Sequence, residues 1–266
     1  MYLGYFYADG RQDYGDHFEE QAGYTNLYRS SLSGVEGRPD PVAFAADLSQ
    51  RAVDAGKKIW LALDMPKTPQ EEEEQGTLWL DHLGTQMEII NDSVVAIELT
   101  DEPDWTQRKA KQMARKVRTV LNGAWPDVPF GVTLASQDVL DGKAKTYTPE
   151  NGYGYVGCEA YLDIGTWDPV AAADEAARLV KRMKRKLPAG VRYWVVGMSY
   201  DRRGVGGAFG PAKALKAVQH GTYDGAVLAH ADALVWFSYG RPGGVVSYSG
   251  LRREHRAIAR QEGILR

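Results

Sequence analysis

Lys58-Ile59-Trp60-Leu61-Ala62-Leu63 is an unbroken apolar run entered through a lysine. A helical pattern follows over residues 69–91, and then a second apolar run, Val94-Val95-Ala96-Ile97-Glu98-Leu99. A strand wetted on one face alternates apolar and polar residues, whereas a near-continuous apolar run suits a strand covered on both faces. Two such runs separated by a helix-length segment form a parallel β-α-β unit, because parallel strands need a long crossover. Residues 58–99 therefore decide the fold class.

The same unit recurs in both directions. Apolar or aromatic runs at 2–8 and 24–29 come before it, and runs at 129–134, 155–162, 192–198 and 233–239 come after it. Helical patterns fall at 15–22, 41–55, 104–123, 168–187, 211–223 and 251–262, with polar loops at 30–41 and 136–152. Pro41 and Pro211 stand near helix starts, where a missing N–H costs little, and Asp104 and Asp168 are expected N-caps. Eight units in 266 residues match the count and size of an α/β single-domain (β/α)8 barrel spanning 1–266, with the first strand pairing to the eighth. An open doubly wound sheet is the alternative.

Hydrophobic content of 44%, charged content of 25% and a net charge of −3 describe an ordinary globular chain. The acidic balance argues against nucleic acid as a partner. No apolar run reaches the ~18 residues of a membrane span. The N-terminus lacks a basic region and a small-residue cleavage site, so the expected location is cytoplasmic or phage-delivered. One cysteine, Cys158, excludes an internal disulfide framework and a cysteine zinc cluster. It alternates with Glu159 and is expected between strands and helices. The basic stretch at 178–186 is read as a solvated helix face.

In a barrel of this kind the chemistry sits where strands end at their C-terminal side. The residues there are Asp9, Arg29, Asp64, Asp101 with Glu102, Glu159 with Tyr161, Tyr200 with Asp201, and Trp236 with Tyr239. Carboxylates and aromatic rings dominate. Paired carboxylates do acid–base or nucleophilic work on a glycosidic bond, and aromatic faces lie against the C–H face of a sugar. An oligo- or polysaccharide substrate follows, with no cofactor. The histidines show no metal-ligand spacing. Asp64, Glu102 and Glu159 offer a weaker alternative, a hard-cation site. The Gly-rich segment 202–211 with 241–244 offers another, a phosphate or anionic-sugar site.

Glu98-Leu99-Thr100-Asp101-Glu102-Pro103-Asp104 resembles the strand-four signature of the clan A glycoside hydrolases, with Asp101 in place of the usual Asn. The resemblance implies that Glu102 is the general acid/base and that Asp101 stands where the sugar 2-hydroxyl is held. Partial desolvation at a strand end is expected to raise the Glu102 pKa, as an acid requires. The resemblance also makes Tyr161 an active-site tyrosine and Trp236 a sugar platform followed by a cis bond to Phe237. Arg29, Asp9, Asp64, Tyr200 and Tyr239 complete the expected substrate-binding set.

One departure is plain. The seventh strand ends Val195-Val196-Gly197-Met198-Ser199-Tyr200-Asp201, without the nucleophilic Glu of that clan. Three readings compete. Glu159, or less favourably Asp201, supplies the second carboxylate. The mechanism is substrate-assisted, since Met198-Ser-Tyr-Asp201 resembles the Met-x-Tyr-Asp motif of family 18 chitinase-like barrels. Or the barrel binds carbohydrate without cleaving it.

Overall fold

The eight apolar runs become eight strands, joined by parallel hydrogen bonding into one sheet. The computed structural model describes residues 1–5, 18–32, 35, 38–89, 92–160, 168–198, 212–237 and 249–265. The strands are β1 Tyr2–Tyr5, β2 Leu27–Ser30, β3 Lys58–Ala62, β4 Val94–Asp101, β5 Phe130–Leu134, β6 Tyr153–Ala160, β7 Arg192–Met198 and β8 Ala233–Phe237. Their order in the sheet is β1-β8-β7-β6-β5-β4-β3-β2, and β1 pairs with β8 from Tyr2 opposite Ala233 to Tyr5 opposite Trp236. The last seam, β1 against β2, is stitched by Asn26, whose backbone N–H donates to Leu3 O at 3.2 Å while its side chain accepts from Leu3 N at 2.8 Å. The chain is thus a nearly closed (β/α)8 barrel.

Strand periodicity sorts side chains into two layers. Leu27, Trp60, Ala96, Tyr155, Trp194, Val196, Ala233 and Val235 fill the interior. Ile59, Leu61, Ile97, Phe130, Val132, Val156, Cys158, Val195 and Leu234 face the helices. Cys158 lies where expected, fully buried, and burial pushes its thiol far up. Three large rings plug the barrel: Trp60 and Trp194 meet edge-on at 4.9 Å, Tyr155 stacks on Trp194 at 4.6 Å, and Trp60 Nε1 donates to the Tyr155 hydroxyl at 2.9 Å. Gly131 is what admits the tyrosine, since a Cβ there would sit 2.3 Å from its ring.

The helices are α1 Phe18–Ala22, α2 Pro41–Asp54, α3 Pro69–Gln75, α4 Leu78–Ile89, α5 Gln107–Leu121, α6 Ser136–Asp141, α7 Pro169–Lys186, α8 Ala212–Leu228 and α9 Ser249–Gln261. Asp40 and Asp168 cap α2 and α7 through Ala43 N and Val170 N, each before a proline at the first turn. The helix expected over 69–91 is two helices, because Gly76 adopts φ +56 between them. The helix expected from Asp104 starts later. Thr106 caps it through Lys109 N, and Asp104 instead pairs with Lys143 at 3.1 Å. The loop expected at 136–152 contains α6 and two 3-10 turns. No described helix is long and apolar enough to cross a membrane.

Candidate active site

Five strands, β2 to β6, bring polar groups into the C-terminal mouth of the barrel. Glu98 points inward from β4 and is fully buried. Its Oε2 accepts from Arg29 Nε at 3.1 Å and Nη2 at 2.7 Å, and its Oε1 accepts from the Thr133 hydroxyl of β5 at 2.6 Å. Burial pushes the Glu98 carboxyl up, against the pull of Arg29 and Thr133. Arg29 Nη2 also lies 3.4 Å from Asp64 Oδ1, just past β3, and Ser31 Oγ donates to Asp64 Oδ2 at 2.6 Å. The guanidinium sits 5.1 Å above the Trp60 ring, which closes the floor beneath it. Arg29 is 4% exposed, so it braces the wall of the mouth from behind.

Strict alternation from Glu98 would turn Asp101 toward the helices. A register shift prevents this. Glu98 stands opposite Gly131 and Asp101 opposite Thr133, so three steps along β4 match two along β5. Such a bulge re-aims a side chain. Asp101 therefore shares the inner face with Thr133, half-buried, and its Oδ1 is enclosed without a hydrogen-bond partner. Burial, and next the charge of Glu98, push its carboxyl up to about 7, while Arg29 and Lys67 pull the other way.

Glu102 follows at φ +44, with its N–H donating to Thr133 O at 2.8 Å. Asp64 ends β3 in the same left-handed region, at φ +50. Backbone strain of this kind gathers at functional sites. Glu102 is exposed, which corrects the expectation of partial desolvation there; the desolvated carboxyls are its neighbours Glu98 and Asp101. Glu159 is half-buried on the inner face of β6, in phase with Tyr155 and beside Val196 of β7.

Trp236 overturns its expected role as a sugar platform. Ala233 and Val235 take the inward positions of β8, so Trp236 turns outward. It is 2% exposed, its ring lies 5.0 Å from that of His255 on α9, and it covers Gly197, where a Cβ would sit 2.6 Å from the indole. The Trp236–Phe237 bond is trans, as are all described peptide bonds. Asp9, Tyr161, Tyr200, Asp201 and Tyr239 lie outside the described residues, as do 202–211 and 241–248. Among the described residues no three His, Cys, Asp or Glu side chains are grouped to hold a metal ion.

Sequence reading passed over His82. It lies on α4, fully buried, and feels the charges of both Asp64 and Arg29. Burial pulls its pKa down to about 4. A histidine in an amphipathic helix carries no sequence signal of this proximity.

The fold is that of many sugar-cleaving enzymes. A family 5, subfamily 18 glycoside hydrolase from Streptomyces cattleya, solved with Manβ1-4GlcNAc, superposes with a TM-score of 0.64 at 15% identity, over 99% of this chain and 80% of that one. A family 26 endo-β-1,4-mannanase from Cellulomonas fimi gives 0.63 at 11% identity, over 97% and 70%. The family 1 β-glucosidase of Exiguobacterium antarcticum B7 gives 0.59 at 12%, over 94% and 86%. No protein-family model and no curated protein matches the sequence.

Proposed function

We propose that this barrel is a glycoside hydrolase, with Glu102 as general acid/base and Glu159 as the second carboxylate. The observation that carries the reading is that β4 and β6 both carry carboxyl groups on their inner faces, Glu98 and Asp101 on one and Glu159 on the other, with Glu102 directly after Asp101. It is supported by strained backbone at Asp64 and Glu102 and by the likeness of the fold to glycosidase barrels. In this reading the Glu102 carboxyl protonates the leaving glycosidic oxygen as the C1–O bond breaks. Glu159 then attacks C1, or deprotonates the water that does. Retaining pairs stand about 5–5.5 Å apart and inverting pairs about 6.5–9.5 Å, so the first-formed anomer, followed by proton NMR, separates these two courses. Arg29, Glu98 and Asp64 form a rigid charged wall behind the sugar.

The test is turnover of 4-nitrophenyl β-mannoside, β-glucoside and N-acetyl-β-glucosaminide, and of Manβ1-4GlcNAc. Glu102→Gln keeps the shape and removes the proton, so hydrolysis falls by ~10²-fold or more. Unchanged turnover removes Glu102 from the mechanism. Binding without turnover of any glycan replaces this reading with the non-catalytic carbohydrate-binding barrel.

A further inference from the structure

Leu228, the last residue of α8, is 66% exposed, and Val227 beside it is 43% exposed. Among the described residues they are the one adjacent pair of large exposed apolar side chains; Leu78, Val120 and Val170 stand singly. A lone exposed apolar residue is ordinary, but this pair is set among cations. Residues 178–186 of α7 include six Lys and Arg and no acid, in a chain of net charge −3. Lys181, Lys184, Arg185 and Lys186 are exposed. Arg178 is offset by Glu175 at 2.7 Å, and Arg182 donates to Leu140 O. No described carboxylate pairs with Lys181, Arg185 or Lys186.

Packing explains the arrangement. Gly221 and Gly225 bring α8 onto Pro169 and Ala173, so the two helices run side by side in the same direction. α8 then stops at Leu228, while α7 continues to Lys186. Lys184 Nζ closes the end of α8, donating to Ala229 O at 2.7 Å and His230 O at 3.2 Å. Beside it runs a groove of about 540 Å³, lined by Asp174, Arg178, Lys181, Lys184, Arg185 and Leu228. Ala229 and His230 lead straight into β8 at Ala233, so the groove lies where the strands begin, at the end of the barrel opposite the mouth.

We propose that the α7–α8 groove docks this protein on an anionic lipid surface, with Lys181, Lys184, Arg185 and Lys186 against the headgroups and Val227 and Leu228 in the acyl boundary. The cations alone would suit any polyanion. The exposed leucine and valine decide between occupants: they add nothing to the binding of a soluble polyanion, and on a bilayer they enter the apolar layer beneath the charges. The long stems of Lys and Arg let the charges stay at headgroup level while Leu228 goes deeper. The contact is peripheral and leaves the mouth facing away from the lipid, open to solvent. It goes beyond the saccharide reading and does not depend on it.

The test is co-sedimentation of the full chain with vesicles of phosphatidylcholine, alone or mixed with phosphatidylglycerol. Binding is expected to the mixed vesicles only, and it weakens as salt rises to about 1 M, where the Debye length is about 3 Å. Lys181→Gln/Arg185→Gln weakens it about fivefold for each charge removed. Leu228→Ser, which changes no charge, weakens it about tenfold. Arg108→Gln/Arg115→Gln, which removes two exposed cations from α5, leaves it unchanged. Wild-type protein that stays in the supernatant with the mixed vesicles overturns the proposal, whatever the variants do, and leaves the glycosidase reading untouched. Equal binding to both kinds of vesicle overturns it too. An equal loss from the α5 pair overturns it by reducing the attraction to diffuse positive charge. Leu228→Ser binding the mixed vesicles as tightly as wild type, with both retained on dextran sulfate, assigns the groove to a soluble polyanion instead.

Discussion

Arg29 and Glu98, 69 residues apart in the chain, meet inside the barrel with two guanidinium nitrogens, at 3.1 and 2.7 Å, on one carboxylate oxygen. Neither side chain is more than 1% exposed. Desolvating both charges offsets much of their attraction, so the pair adds little net stability, but removing one partner strands the other. Arg29→Met is expected to cost about 3–5 kcal/mol in urea unfolding. The double variant Arg29→Met/Glu98→Gln is expected to recover part of that loss. A single-variant loss below about 1 kcal/mol would mean that Glu98 carries a proton in the fold and needs no cation.

Glu102 and Asp64 end adjacent strands with φ of +44 and +50. Each L-residue held there costs about 1–2 kcal/mol relative to glycine. Glu102 is exposed, so little packing is lost with its side chain. Glu102→Gly is therefore expected to raise stability by about 1 kcal/mol while abolishing hydrolysis, a stability–activity trade-off. A destabilised Glu102→Gly would show that the carboxylate makes a contact worth more than the strain.

The barrel was legible because burial on both faces writes each strand as an apolar run, with Trp60 to Leu63 as the clearest case. The site was legible only in part. Glu159 followed from simple alternation. Asp101 was named from its motif and its place at the strand end, but its inward aim depends on a bulge against β5, which no local pattern along β4 encodes. Trp236 was misread for a related reason. Its motif suggested a platform, but Ala233 and Val235 fix the phase of β8 and send the indole to the helices. Thr106, rather than Asp104, starts α5 because both are capping residues and the intervening Trp105 is drawn into the core.

His82 makes stability depend on pH in a definite direction. Its pKa falls from 6.5 to about 4 on folding, chiefly through burial. Between those values the unfolded chain binds the proton and the folded chain does not, so stability is full above 6.5 and is lost as pH falls toward 4. The loss from this group is about 3 kcal/mol. His255 acts in the same sense, with its pKa lowered to about 3 by burial. Its neutral ring accepts from the Tyr5 hydroxyl at Nδ1 and meets Gln219 Oε1 at Nε2. His82→Gln is expected to flatten the fall in urea midpoint between about pH 6.5 and 4, the window set by this linkage. An unchanged slope would assign the acid sensitivity to other groups.

Asp101 acts oppositely. Its carboxyl holds a proton more tightly in the fold, with a pKa raised from 3.8 to about 7, so its contribution to stability is present at low pH and lost as pH rises through that range. Asp101→Asn is expected to raise the thermal midpoint at about pH 8 and to change it least at about pH 4, at the two ends of the linkage window. Equal shifts at both ends would show that the variant acts through packing rather than charge.

Helices α7 and α8 touch through backbone. A Cβ at Gly221 would lie 2.0 Å from Pro169 O, and one at Gly225 would lie 2.1 Å from Ala173 O. The two glycines and the two carbonyls share a four-residue spacing, so one ridge of α8 lies directly on one of α7. Alanine would gain about 1 kcal/mol of helix propensity at either site. It cannot be accommodated, because the atom it meets belongs to a hydrogen-bonded backbone and has no rotamer to change. Overpacking of this kind costs about 1–3 kcal/mol or more, so the loss wins. Gly84, inside α4, supplies the contrast, with nothing within 4 Å of an added Cβ. Gly225→Ala is expected to lower the urea midpoint and Gly84→Ala to raise it, although the substitution is chemically identical. If both variants raise the midpoint, helix propensity rather than the α7–α8 contact governs this side of the barrel.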